Sequence, residues 1–129
     1  MGPTHRSFHL NRHPREAQRA RRHVAEVCEH VDPEVVSTAQ LLTSELFTNA
    51  LDHSDGSITL SVVLDDGDLR VEVTDHAEGS PVVRQVDLQD EHGRGMLLVQ
   101  TLASAWGEGR YPSGRGKYVW FTLRTSAAR

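Results

Sequence analysis

Glu45-Leu46-Phe47-Thr48-Asn49-Ala50-Leu51-Asp52-His53 forms the last two turns of the longest helix the sequence predicts. At about 100° per residue, Val35, Leu42, Leu46 and Ala50 fall on one apolar arc, with Asn49 roughly 20° and Glu45 roughly 60° outside it. Four residues apart, the carboxylate and the amide project from one helix face, on the rim of the core. Half-burying both costs desolvation unless something satisfies them, and Asn49 is one of only two asparagines in the chain. The partner is internal, or it is a ligand. Taken alone, the stretch is accounted for by a solvated helix edge with local hydrogen bonds; three later stretches shift the balance toward a ligand.

Working outward, the same helix starts at Asp32-Pro33-Glu34, a cap followed by a first-turn proline and a first-turn acid, and is expected to run to about Asp52. Upstream, a helix opening at Pro14 carries Ala17, Ala20, Val24, Val27, Cys28 and Val31 at three- and four-residue spacing, with Arg15, Arg19, Arg22 and Glu26 mostly on a solvated side. No CxxC pattern or activating neighbour accompanies Cys28, which is read as an inert buried thiol. Ser7-Phe8-His9-Leu10 alternates as a short edge strand does.

Downstream, His53-Ser54-Asp55-Gly56-Ser57 breaks the helix. Ile58, Leu60, Val62 and Leu64 then alternate with Thr59, Ser61 and Val63; beyond the tight turn Asp65-Asp66-Gly67-Asp68, Leu69, Val71 and Val73 alternate with Arg70, Glu72 and Thr74. The pattern is a β-hairpin ending at Asp75. Residues 76–92 have no sustained period, contain Gly79-Ser80-Pro81 and the acids Asp87, Asp90 and Glu91, and are read as a long mobile loop of the functional kind. Gly93-Arg94-Gly95 opens the apolar helical run 96–103, and flexible residues at a helix N-terminus leave backbone N–H groups free to approach an anion. Residues 106–110 and 118–123 read as two closing strands around Pro112-Ser113-Gly114-Arg115-Gly116.

With 129 residues, 37% apolar and a quarter charged, the chain suits one globular domain spanning 1–129, its residues 1–6 a flexible lead-in. No apolar run approaches a spanning helix, the first residues lack an apolar h-region, and one cysteine makes no internal disulfide. A cytoplasmic protein is expected. A net charge of −4 supplies no general field for nucleic acid. The chain has no GxxxxGK[ST] loop, HExxH pair or GxSxG elbow, and Gly93-Arg94-Gly95 follows a loop where a dinucleotide fingerprint would follow a strand.

What remains is an order of parts: a helix with Glu and Asn, a hairpin, an Asp at a strand end, a loop, a glycine turn on a helix, and final strands. That order resembles the GHKL (Bergerat-fold) ATP-binding family, most closely its small bacterial branch of anti-sigma-factor serine/threonine kinases and stand-alone regulators. The stretch from Glu45 through Asn49 to His53 looks like the family's N box, Val73-Thr74-Asp75 with Gly79 like its first glycine box, and Gly93-Arg94-Gly95-Met96-Leu97-Leu98-Val99 like its second. Gly116 and Trp120 also look like the end of this branch. The family's DxGxG reads Asp75-His76-Ala77-Glu78-Gly79 here, so Ala77 costs the loop one glycine.

The resemblance implies an α/β fold, a two-layer sandwich whose mixed but largely antiparallel sheet carries its helices on one face. It implies ATP and Mg2+ as cofactors. Asn49 would give an amide oxygen to Mg2+; Glu45, the catalytic residue, would orient or deprotonate the attacking hydroxyl; Asp75 would accept a hydrogen bond from the adenine amino group. Gly93, Arg94 and Gly95 would bring N–H groups and a guanidinium to the phosphates, and Asp52, Gly79 and Met96 complete the nucleotide-binding set. The expected partners are a STAS-type anti-sigma antagonist, a sigma factor and a second copy of the chain, with no direct nucleic acid and no membrane. Glu45 favours a kinase, whereas Ala77 favours a nucleotide-gated binder without phosphotransfer; an unliganded interaction domain is the third reading.

Overall fold

Asp66 and Gly67 both take positive φ, 42° and 90°, so the expected hairpin closes through a two-residue type I′ turn whose twist matches that of the strands it joins. The computed structural model describes residues 2–53, 56–76, 92–112 and 116–126. In chain order the elements are β1 (Thr4–Leu10), α1 (Glu16–Val27), α2 (Pro33–His53), β2 (Ile58–Asp65), β3 (Asp68–Asp75), α3 (His92–Leu102), β4 (Ala105–Arg110) and β5 (Lys117–Arg124). The first strand begins at Thr4 and pairs with β2 along its whole length, so residues 4–6 belong to the sheet and not to a flexible lead-in.

The sheet order is β1-β2-β3-β5-β4, and every neighbouring pair is antiparallel. The parallel component expected of a mixed sheet is absent among the described strands. The cause is the position of β5: β3 and β4 run in the same direction, but β5 lies between them and opposes both.

Alternation along β2, β3 and β5 puts Ile58, Leu60, Val62, Leu69, Val71, Val73, Val119 and Phe121 on one face, all buried. They meet Ala20 and Val24 of α1, Cys28 just after it, Leu42, Leu46 and Phe47 of α2, and Val99 of α3 in a single core, giving an α/β sandwich with its helices on one face. Burial alone pushes the Cys28 thiol up to about 11 from the usual 9.0, which leaves almost no thiolate near neutrality. Arg15, just before α1, and Arg19 and Arg22 within it are exposed as expected. Arg21 instead turns onto α2: its Nη1 donates to Ser44 Oγ at 2.8 Å, and Gln40 Nε2 donates to the Arg21 carbonyl at 3.1 Å.

His23 of α1 stacks on Phe8 of β1, ring centroids 3.7 Å apart and planes 13° from parallel. Burial holds its pKa below the ordinary 6.5 and Arg19 lowers it further, against the opposing pull of Glu26. The native ring therefore stays neutral while the unfolded chain takes up a proton, so stability is present above pH 6.5 and is lost as the pH falls through the window below it. In urea titrations between about pH 7.5 and about pH 5.5, the wild-type midpoint is expected to fall more steeply than that of His23→Phe, which keeps the stack and cannot titrate. Equal slopes would remove His23 from the pH dependence.

Candidate functional site

At one end of the sheet the ladders line up five residues in a row: Leu10 opposite Ile58, Ile58 opposite Asp75, Asp75 opposite Lys117, and Lys117 opposite Arg110. The second helix ends beside that row, because only residues 54–57 separate His53 from Ile58. Its last two turns, with Asn49 and Asp52, thus lie at the end of the sheet where β3 stops at Asp75. At the other end, Ser104 donates to the Thr122 carbonyl at 2.8 Å and Ala105 pairs with Thr122, which places the C-terminus of α3 well up β5 from Lys117. The eleven residues of α3 make about 16 Å of helix, which is long enough to carry its N-terminus from there toward the row.

Asp75 is in phase with Leu69, Val71 and Val73 and faces the helices, only 2% exposed. Two backbone contacts fix its strand end. His76 donates its N–H to the Ser57 carbonyl at 2.8 Å, and Gly116 lies against it with φ +88°, where an added Cβ would come 2.6 Å from the Asp75 carbonyl oxygen. Only glycine suits that close approach.

On α2 the flank bearing Gln40 and Ser44 is taken up by α1. The opposite flank carries Glu45 and Asn49, both half-buried, and among the described residues neither side chain makes a hydrogen bond. Asp52 is exposed one turn further on, and Met96 is half-buried against the core. Gly93, Arg94 and Gly95 lie within the first turn of α3, not in a turn ahead of it. The Arg94 side chain, Gly79, Ala77 and the expected mobile loop lie outside the described residues, apart from the loop's two ends.

Two residues at this end escaped the sequence reading. Lys117, the chain's single lysine, is half-buried opposite Asp75; its rarity was the available signal. Arg12, in the link between β1 and α1, reaches carbonyls at the end of α2, and no local pattern in the sequence marks it.

The family described as the histidine kinase-like ATPase domain matches residues 10–123. The chain belongs to that family. A comparison with curated proteins finds no match. Histidine kinase-like ATPase domains bind ATP, typically with Mg2+, and the described residues suit that ligand in two ways. A buried carboxylate at a strand end can accept from a purine amino group, and a half-buried amide with no partner among the described residues can serve a hard cation. Among the described residues no group of three His, Cys, Asp or Glu side chains could hold a metal ion; a lone amide oxygen accords with Mg2+, which keeps waters and shares its coordination with phosphates. No helix of the described residues is long and apolar enough to cross a membrane.

Proposed function

We propose that this histidine kinase-like ATPase domain is a serine/threonine protein kinase of the anti-sigma type, with a STAS-type antagonist as its substrate and a sigma factor as a second partner. The observation that carries the reading is the flank of α2: Glu45 and Asn49 project together, half-buried and without a hydrogen bond among the described residues, near the strand end that holds Asp75. Bound ATP would be the phosphoryl donor, and Mg2+ would neutralise charge on the phosphates. Asn49 would hold the metal, and Asp75 would hold adenine. Glu45, one turn before Asn49, would orient the partner's hydroxyl for in-line attack and take its proton as the new O–P bond forms and the bond to the departing ADP oxygen breaks. Incubation with γ-labelled ATP and candidate antagonists from the same genome tests the reading; absence of label on every antagonist would leave the nucleotide-gated binder, which Ala77 favours.

The metal role of Asn49 has its own check. Titration calorimetry of Asn49→Ala is expected to show weakened ATP binding, on the order of tenfold, in Mg2+ and little change in chelator, since a hydrogen-bonded or metal-bound group is worth about 1–3 kcal/mol. Equal losses under both conditions would take Asn49 off the metal.

A further inference from the structure

A helix leaves its last four carbonyls without intrahelical partners, and at the end of α2 those belong to residues 50–53. Arg12 meets two of them: its Nη2 donates to the Leu51 carbonyl at 2.7 Å and, more weakly, to the Ala50 carbonyl at 3.4 Å. Its Nη1 donates to the Gly56 carbonyl at 2.9 Å, on the far side of the helix break. A cation there also complements the negative end of the helix dipole, and hydrogen bonds from a charged donor are the stronger kind. The guanidinium thus ties the link after β1 to chain on both sides of the α2–β2 break, 38 to 44 residues away. It stands two residues after Leu10, which pairs with Ile58; it grips the helix turn immediately after Asn49; and it grips the residue two before the start of β2.

We infer that Arg12 is a positioning residue of the nucleotide site, fixing the last turn of α2 relative to the strand end that carries Asp75. The inference rests on the nucleotide-binding reading of that site. Asp75 is held on both sides by its ladders to Ile58 and Lys117, whereas the turn after Asn49 is tied to the start of β2 by the Arg12 bridge. A ligand that spans both ends of the site should therefore sense Arg12, and one that occupies only the adenine end should not. A lysine keeps the charge but lacks the planar fork needed to serve several carbonyls at once.

The test measures Mg–ATP and adenosine affinities for wild type, Arg12→Lys and Arg12→Met, well below each melting temperature, with amide exchange of the ligand-free proteins in parallel. Arg12→Met is expected to raise the Kd for Mg–ATP on the order of tenfold, the scale of a small misplacement of a bound group, with Arg12→Lys in between, adenosine affinity changed by less than about twofold, and exchange at residues 50–53 accelerated. Unchanged Mg–ATP affinity in Arg12→Met, or equal losses for ATP and adenosine, would overturn the positioning role while leaving the nucleotide reading intact. Wild type that binds neither ligand would overturn that reading and the inference with it. If Arg12→Met does not fold, Arg12→Lys carries the same comparison, with unchanged ATP affinity beside accelerated exchange as the overturning result.

Discussion

Glu45→Ala is expected to slow phosphotransfer to a cognate antagonist by about 10²-fold or more, the usual scale for losing a positioned base, while leaving Mg–ATP affinity nearly intact. The carboxylate stands one helical turn before Asn49 on a flank that α1 leaves open, where, in the proposed reaction, it would meet the partner's hydroxyl. Removing a negative charge near the phosphates can even tighten binding. Because the side chain is half-buried and makes no hydrogen bond among the described residues, its truncation should leave the fold undisturbed, which circular dichroism can verify. Single-turnover phosphorylation with binding measured alongside separates the two roles. Transfer as fast in Glu45→Ala as in wild type would end the kinase assignment.

Asp75→Asn is expected to erase the preference for ATP over GTP, shifting the affinity ratio roughly tenfold to a hundredfold. A carboxylate at 2% exposure presents acceptors only, whereas an amide in the same space can turn and offer a donor. An unsatisfied buried polar group costs about 1–3 kcal/mol, and each 1.4 kcal/mol or so is a factor of ten in affinity. Because the backbone on both sides of Asp75 is held by β2 and β5, the isosteric change should not move the strand. A ratio identical in wild type and variant would make Asp75 a structural residue.

The parts that could be read from the sequence are those with a local cause. Alternation in 58–64 and 69–73, with Asp66-Gly67 between them, specified the hairpin and its turn, since period and turn chemistry act within a few residues. The cap Asp32-Pro33-Glu34 placed the start of α2 correctly, and the arc through Leu42, Leu46 and Ala50 is buried as its spacing requires. What escaped is non-local. The parity of β3 and β4 around β5 depends on which slot the last strand takes, and the closeness of Gly116 to Asp75 depends on two segments meeting across the sheet. The bonds from Arg12 to α2 and Gly56 span 38 to 44 residues, so no periodicity could have disclosed them. At the site, the residue types and their order along the chain were legible, but the shared end at which Asn49, Asp52 and Asp75 stand followed only from strand register.

The two-residue turn at Asp66-Gly67 has a consequence for evolution of this domain. It sits at the opposite end of the hairpin from Asp75, about 24 Å away at the usual strand rise, yet it decides which side of the sheet Asp75 faces, because successive side chains of a strand point to opposite faces. One residue gained or lost in the bend, if taken up as a register slip, would deliver His76 or Thr74 to the helix side and turn the carboxylate to the other face. Insertions at this exposed loop are thus silent at the distant strand end when they are looped out whole and the Asp65–Asp68 pairing is kept, and the frame of the ladder guards a chemical group that the turn never touches.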